Sequence, residues 1–142
     1  MSDYVNLATK IIQLLQSGLP DIEVRYGLAT STGVITANKA VGVCLFSKKE
    51  DPMAVGTNEQ IIVYQVWAYV KPDVPTSSAD AEQQVADLIE SVEDILRSNP
   101  HLDGSVVTSE LSETNFNYEE IQAGIYAATA VLNLTVQRLK SL

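Results

Sequence analysis

Residues 60–70, QIIVYQVWAYV, constrain the fold more than any other part of this sequence. β-Branched and aromatic side chains, which favour strands, fill the segment. Alternation places apolar side chains on both faces of a strand: Ile62, Tyr64, Val66 and Ala68 on one, and Ile61, Val63, Trp67 and Tyr69 on the other. A strand that is apolar on both faces is expected to be covered on both. Either it is the central strand of a fold with two covered faces, or another subunit covers the second face, with Trp67 and Tyr69 as interface anchors.

One amphipathic helix is predicted before this strand in the sequence, and another is predicted after it. Apolar residues recur three and four positions apart over residues 4–15, and Gly18 and Pro20 end the pattern. The second helix covers about residues 79–98, and an Asn-Pro pair stops it. Its apolar side consists of Val85, Leu88, Ile89, Val92 and Leu96. We therefore expect each helix to pack one side against a sheet.

Four further strands are predicted from alternating apolar and polar residues. They cover about residues 22–29, 34–46, 105–111 and 121–139. The order of helix, strands, helix and strands predicts an α+β fold, with an antiparallel β-sheet of four or five strands and two α-helices packed on one face. The length of 142 residues fits a single domain spanning residues 1–142.

Two polar segments between the strands are predicted to be loops. Residues 47–59, SKKEDPMAVGTNE, form a stretch with Pro and Gly that is near the upper length of an ordinary connection. Long loops between strands often carry function, and a plain flexible hairpin tip is an equal alternative here. Residues 112–120, SETNFNYEE, are interpreted as a second polar loop or hairpin tip.

Acidic residues are concentrated in one part of the chain. The net charge is −9, and residues 73–120 hold twelve of the eighteen acids with Arg97 as their one base. The second helix carries an acidic surface opposite its apolar side: Asp80, Glu82, Asp87, Glu90, Glu93 and Asp94. Nucleic-acid binders need basic stripes, so this balance argues against tight DNA binding and against adhesion to an anionic membrane. As an alternative, the acids serve solubility alone.

Catalytic and metal-binding patterns do not occur in the sequence. His101 is the one histidine and has no cysteine or second histidine nearby, and Cys44 lies in a predicted strand, where a buried, inert thiol is expected. Neither GxxxxGKS/T nor GxGxxG is present. We therefore expect no catalytic residue, no metal site and no cofactor, and a protein that is not an enzyme. A single cysteine, no secretory pattern and no apolar run of membrane-spanning length predict a soluble protein without a disulfide.

Taken together, the segments resemble a known family. An amphipathic helix precedes a sheet with a long internal loop, the acidic helix ends in ESVEDILRSNPHLDGSVV, and the chain closes on GIYAATAVLNLTVQRL. Over about residues 4–139 this pattern is similar to the tail terminator and head–tail joining (neck) proteins of tailed bacteriophages. The resemblance rests on element order, on the NP-x-L-x-G turn and on the alternating terminal strand.

The resemblance implies a structural virion protein with no catalytic residues to carry over. Family members form a hexameric ring at the head-proximal end of the tail tube, stop its polymerisation and join the tail to the neck, while DNA passes through the lumen without specific binding. The implied partners are further copies of the chain, a tail tube protein and a neck or connector protein, with no membrane. The implied location is the tail and neck of the virion, assembled in the host cytoplasm.

Candidate interface residues follow from this resemblance. The segment 47–59 is the expected contact with the tube or with a neighbouring subunit, and the acidic surface fits a conduit that does not grip DNA. The candidate interface residues are Lys48, Lys49, Glu50, Asp51, Met53, Trp67 and Tyr69. Two alternatives stay open: another neck ring, such as a stopper or adaptor, and, from a different class, a small α+β enzyme or ligand-binding protein.

Overall fold

Two helices and five strands make up the computed structural model, which describes residues 3–27, 38–71, 78–102, 104, 106–122 and 125–141. In chain order the elements are α1 (Asp3–Gly18), β1 (Glu23–Tyr26), β2 (Lys39–Ala54), β3 (Thr57–Val70), α2 (Ser78–Arg97), β4 (Thr108–Gln122) and β5 (Ile125–Ser141). The strands form one sheet in the order β1-β2-β3-β5-β4. Neighbouring strands are antiparallel except β1 and β2, which run parallel.

The predicted α+β class, with two helices on one face of the sheet, is confirmed. The sheet is mixed rather than wholly antiparallel, because β1 pairs in parallel with residues 40–43 of β2. Alternate sheet residues join the buried sides of α1 and α2 in one apolar cluster. These sheet residues are Val24, Val41, Val43, Ile62, Tyr64, Val66, Ala68, Val70, Ala128, Ala130, Leu132, Leu134 and Val136.

The core lies between this sheet face and the helices. Leu7, Ile11 and Leu15 of α1 recur at helical spacing and are buried. The buried side of α2 consists of Ala81, Val85, Leu88, Ile89, Val92 and Leu96. Full burial of each large aliphatic side chain contributes about 1.5–3 kcal/mol to folding. Within this layer, the Tyr64 hydroxyl donates a hydrogen bond of 2.7 Å to the carbonyl oxygen of Tyr4, which fixes the start of α1 on β3.

The turn after α2 anchors the end of that helix. The Asn99 side chain donates a hydrogen bond of 2.8 Å to the Ile95 carbonyl oxygen and so caps the last turn. Leu102 has a φ of 45°, in the left-handed region, and is fully buried. That conformation costs on the order of 1–2 kcal/mol for a residue with a Cβ, and burial of the leucine side chain offsets the cost.

The prediction of a loop at residues 47–59 is wrong. β2 continues through this segment, and a turn at Val55-Gly56 joins it to β3. Gly56 has a φ of 81°, which glycine adopts without steric cost. The strands pair from Ser47↔Val63 up to the turn. Residues of this hairpin are largely exposed or half-buried, so both faces accept polar side chains and the sequence shows no clear alternation.

The second predicted loop, residues 112–120, is also wrong. β4 runs through this segment and pairs with β5. β5 begins at Ile125 rather than at residue 121. Residues 28–29 and 34–37, which the sequence predicts as strand, lie outside the described residues.

Candidate interaction surfaces

The sheet face away from the helices is not covered by any other described element. Most of its side chains in β3 and β5 are half-buried, whereas the alternate residues facing the helices are buried. Those at the centre of the face are apolar or polar without charge: Ile61, Val63, Gln65, Tyr69, Thr129, Val131, Asn133 and Thr135. Strand pairing aligns Gln65, Asn133 and Ser112 in a row across the sheet. We call this surface the open face; its centre carries no charged side chain.

Trp67 points to the same side of the sheet but is buried within the chain, with 2% of its surface exposed. Its indole N–H donates a hydrogen bond of 2.6 Å to the carbonyl oxygen of Gly27. The ring occupies the space that a Cβ at Gly42 would fill. The expectation that Trp67 anchors a partner is therefore corrected. Because Gly42 has no side chain, the indole folds onto β2 and leaves little surface for another molecule.

Tyr69, the other predicted anchor, is half-buried on the open face. It lies in register with Ala40 of β2 and Thr129 of β5. Burial raises the pKa of its hydroxyl, and the negative charge of Glu119 raises it further. The hydroxyl therefore stays protonated at neutral pH and remains a hydrogen-bond donor. Its role at an interface stays a prediction.

The hairpin of β2 and β3 carries the other five predicted contact residues. Lys48 Nζ lies 3.9 Å from Glu50 Oε2, and Lys49 Nζ lies 3.5 Å from Asp51 Oδ2. Residues two positions apart share a face of a strand, which explains both pairs. Solvent-exposed ion pairs contribute only about 0–1 kcal/mol, so these groups can exchange partners at little cost. Met53 is exposed near the turn, and the contact of all five residues with a partner stays a prediction.

A partly buried polar network at the base of this hairpin was not predicted from the sequence. Gln60 is 1% exposed; its Nε2 donates a 2.7 Å hydrogen bond to Glu50 Oε1, and its Oε1 accepts one of 2.7 Å from Arg138 Nε. The hydrogen bond from Gln60 is the main cause of a lowered pKa at Glu50. Arg138 Nη2 lies 4.0 Å from Asp3 Oδ2, which links β5 to α1. The alternation of side chains along the strands could have indicated this network, because all three of its residues occupy positions that face the helices.

The acidic surface predicted on α2 lies on the outer side of that helix. Its members are Asp80, Glu82, Asp87, Glu90, Glu93 and Asp94. All are exposed except Glu93, which is half-buried and whose Oε2 lies 3.2 Å from Arg97 Nη2. After burial, the charge of Glu82 is the second cause that raises the pKa of the Tyr118 hydroxyl on β4. The negative electrostatic potential of α2 therefore reaches that edge of the sheet.

Other reactive side chains lie apart from one another. Cys44 is buried, and burial raises the pKa of its thiol. The exposed His101 has its Nδ1 2.8 Å from the Val107 carbonyl oxygen. Among the described residues, no group of three or more His, Cys, Asp or Glu side chains is placed to hold a metal ion. No helix in the described part of the chain has both the length and the apolar character needed to cross a membrane.

Comparison with known proteins shows a shared fold. No family model matches the sequence, and no curated protein matches it. Among solved structures, one titled as the sheath/tube terminator of an extracellular contractile injection system, PVC, in the extended state, matches with a TM-score of 0.51 and 15% identity. The match covers 94% of this chain and 56% of that chain, so this chain spans little more than half the length of the matched protein. The chain therefore has a fold like that of a tube terminator.

Proposed function

We propose that this chain is a tail terminator, a structural protein that forms a ring at the head-proximal end of a tail tube. The observation that carries the proposal is the fold, because 94% of the chain aligns with a protein titled a sheath/tube terminator. The resemblance of the sequence to bacteriophage tail terminators supports the same function. In this proposal the ring is a hexamer in the virion neck, and DNA passes through its lumen.

A terminator needs one surface that binds the last ring of the tube. The turn end of the β2–β3 hairpin suits this contact, because Met53 and Val55 expose apolar side chains there. Leu139 of β5, which is in register with Glu59 near the same end, adds a third exposed apolar side chain. We expect this apolar tip, formed by residues 53, 55 and 139, to dock on the tube.

Passage of DNA needs a surface that does not bind phosphate. The acidic surface of α2 contains six carboxylates and repels a polyanion at short range. The half of the sheet next to it adds acids on β4. This distribution supports a conduit rather than a nucleic-acid binding site.

Native mass and electron microscopy with purified tail tubes of the same virus test the proposal. We expect a ring of about 92 kDa, six times the chain mass of 15.4 kDa, bound to one end of each tube and preventing further growth. Val55→Asp, at a fully exposed position, is expected to leave the ring intact and abolish tube capping. Gln13→Asp on the exposed side of α1 is the matched control.

Two outcomes would change the assignment. A protein that forms no ring and ignores the tubes is not a terminator. A ring that binds neck proteins but leaves tube growth unaffected is a stopper or adaptor instead.

A further inference from the structure

Most of the large apolar side chains that are exposed in the described residues lie at two opposite edges of the sheet. One group is at the β1/β2 edge: Tyr26, Leu45 and Phe46. The other is at or beside the β4 edge: Val107, Phe116 and Tyr118. Exposed aromatic residues grouped in this way are typical of protein contacts rather than of free surface.

Both edges also have strand sides without a neighbour among the described residues. β1 pairs with residues 40–43 of β2 only, so residues 45–54 have no described strand on the side that faces away from β3. β4 pairs with β5 alone. Bulges interrupt both edges, and Pro52 cannot donate a backbone hydrogen bond. Such features disfavour a continuous ladder and leave the contact to side chains.

Charge distinguishes the two edges. β4 carries acidic residues and no base: Glu110, Glu113, Glu119 and Glu120. The β1/β2 edge carries Arg25, Lys48 and Lys49 among its acids. Two β4 edges would repel one another, whereas a β4 edge beside a β1/β2 edge brings carboxylates to lysines. Contact between unlike edges is heterologous and generates a ring when it closes.

Strand register gives the side-chain pairing. The successive strand pairs across the sheet place Lys49 level with Thr108 along the strand direction. In the same way they place Tyr26 level with Thr114. Two residues further along β4, on the same faces, are Glu110 and Phe116. A neighbouring copy displaced along the strands by about 7 Å therefore brings Lys49 level with Glu110 and Tyr26 level with Phe116 at once.

We infer that a second copy of this chain docks head-to-tail, its β4 edge against the β1/β2 edge, with Lys49 meeting Glu110 and Tyr26 meeting Phe116. The inference rests on the ring of the proposed function and specifies its subunit contact. β4 runs antiparallel to β2 within the chain, so copies of equal orientation bring antiparallel strands together. The apolar pair then lies on the helix side of the sheet and the ion pair on the open side.

Disulfide trapping tests this contact directly. Positions 49 and 110 of one chain are three strand spacings apart, about 14 Å, which is beyond the limit of about 7 Å between the Cα atoms of a disulfide. A bond in the variant Lys49→Cys/Glu110→Cys must therefore join two copies. Under mild oxidation we expect a ladder of multiples of 15.4 kDa that ends at the ring, reversed by reductant. Wild type, each single variant and Lys49→Cys/Gln13→Cys are the controls.

The native mass of the same samples separates this inference from the proposed function. A ring without a ladder overturns the subunit contact and leaves the terminator intact. Monomers without a ladder, with wild type also monomeric and ignoring tail tubes, overturn both. A disulfide-linked dimer in the Glu110→Cys single variant beyond the wild-type background shows that β4 edges meet each other, and this also overturns the contact.

Charge exchange gives a second readout that misfolding does not imitate. Lys49→Glu and Glu110→Lys are each expected to weaken ring assembly at least tenfold at low salt. The double variant restores the pair and is expected to recover assembly to within about threefold of wild type. Failure of the double variant to recover, with circular dichroism unchanged, contradicts the Lys49–Glu110 contact.

Discussion

The two faces of the sheet differ in chemistry although the same strands build both. In β3, Ile62 and Val66 are fully buried under the helices, whereas Val63 and Gln65 between them are half-buried on the open face. The helix-covered face must be apolar because unpaired polar groups are costly there. The open face has no such need in a monomer, since charged side chains would be well solvated on it. The lack of charge at its centre supports the expectation from the sequence that another subunit covers it.

Trp67 shows that this distinction does not hold at every position. Its side chain is on the open side but belongs to the monomer, because Gly42 and the Gly27 carbonyl provide a place for the indole. An apolar residue on an uncovered face is thus either a partner contact or a piece of local core. The size of the residue paired with it on the neighbouring strand decides between these two roles.

Trp67→Ala is expected to give the largest loss of stability. It empties the space over Gly42 and leaves the Gly27 carbonyl oxygen without its donor, so the free energy of unfolding should fall by about 3–5 kcal/mol. Tyr69→Ala, half-buried on the same side, is the control and should lose less than half as much. Urea unfolding followed by circular dichroism measures both. Equal and small losses would return Trp67 to the list of partner anchors.

Leu132 and Val131 compare the two faces at adjacent positions of β5. Leu132→Ala creates a cavity under the helices and should lower the free energy of unfolding by about 2–5 kcal/mol. Val131→Ala, on the open face, should lower it by about 1 kcal/mol or less in the monomer, because that side chain is half-buried. The same urea experiment applies. A large loss at Val131 would mean that the chain itself covers the open face.

Sequence periodicity predicted both helices and the central strand because each buries an apolar side against the core. Ile11 and Leu15 recur at helical spacing, and the alternate residues of β3 face α1 and α2. The α+β class followed from the order of these elements.

Periodicity failed where burial does not alternate or where contacts join distant residues. The hairpin at residues 47–59 is exposed enough to accept polar side chains on both faces, so it resembled a loop. The parallel pairing of β1 with β2 leaves no trace in the pattern of either strand. The Gln60–Arg138 hydrogen bond joins residues 78 positions apart, and only the register of β3 with β5 brings them together.

Gln60→Leu, at the edge of the helix-covered face, is expected to give an intermediate loss of stability. Leucine keeps the volume but removes the acceptor of Arg138 Nε, so unfolding free energy should fall by about 1–2 kcal/mol. Gln65→Leu, on the open face of the same strand, is the control and should change stability little.

Gln60→Leu is also expected to change how the stability of the fold depends on pH. The hydrogen bond from Gln60 lowers the pKa of Glu50 in the folded protein, so its contribution to stability is present above the unfolded pKa and is lost as pH falls through the lower, folded value. In Gln60→Leu, carbon-detected NMR titration should show a higher pKa for Glu50. The loss of stability that accompanies protonation of Glu50 in acid should become smaller. An unchanged pKa at Glu50 would assign the shift to its lysine neighbours instead.

Glu90→Lys on the outer side of α2 is expected to give the smallest change, and it is a gain. Asp87, Glu93 and Asp94 lie three or four residues away, so the substitution replaces three repulsions with three attractions, each worth about 0.2–0.5 kcal/mol. Gln83→Lys removes no acid and only adds attractions, to Asp80 three residues before it and to Asp87 four residues after it, so it should gain about a third as much. Both gains should fade at 1 M salt, where screening acts over about 3 Å. Thermal unfolding at low and high salt measures them, and a loss of stability in Glu90→Lys would mean that another part of the chain already holds these carboxylates.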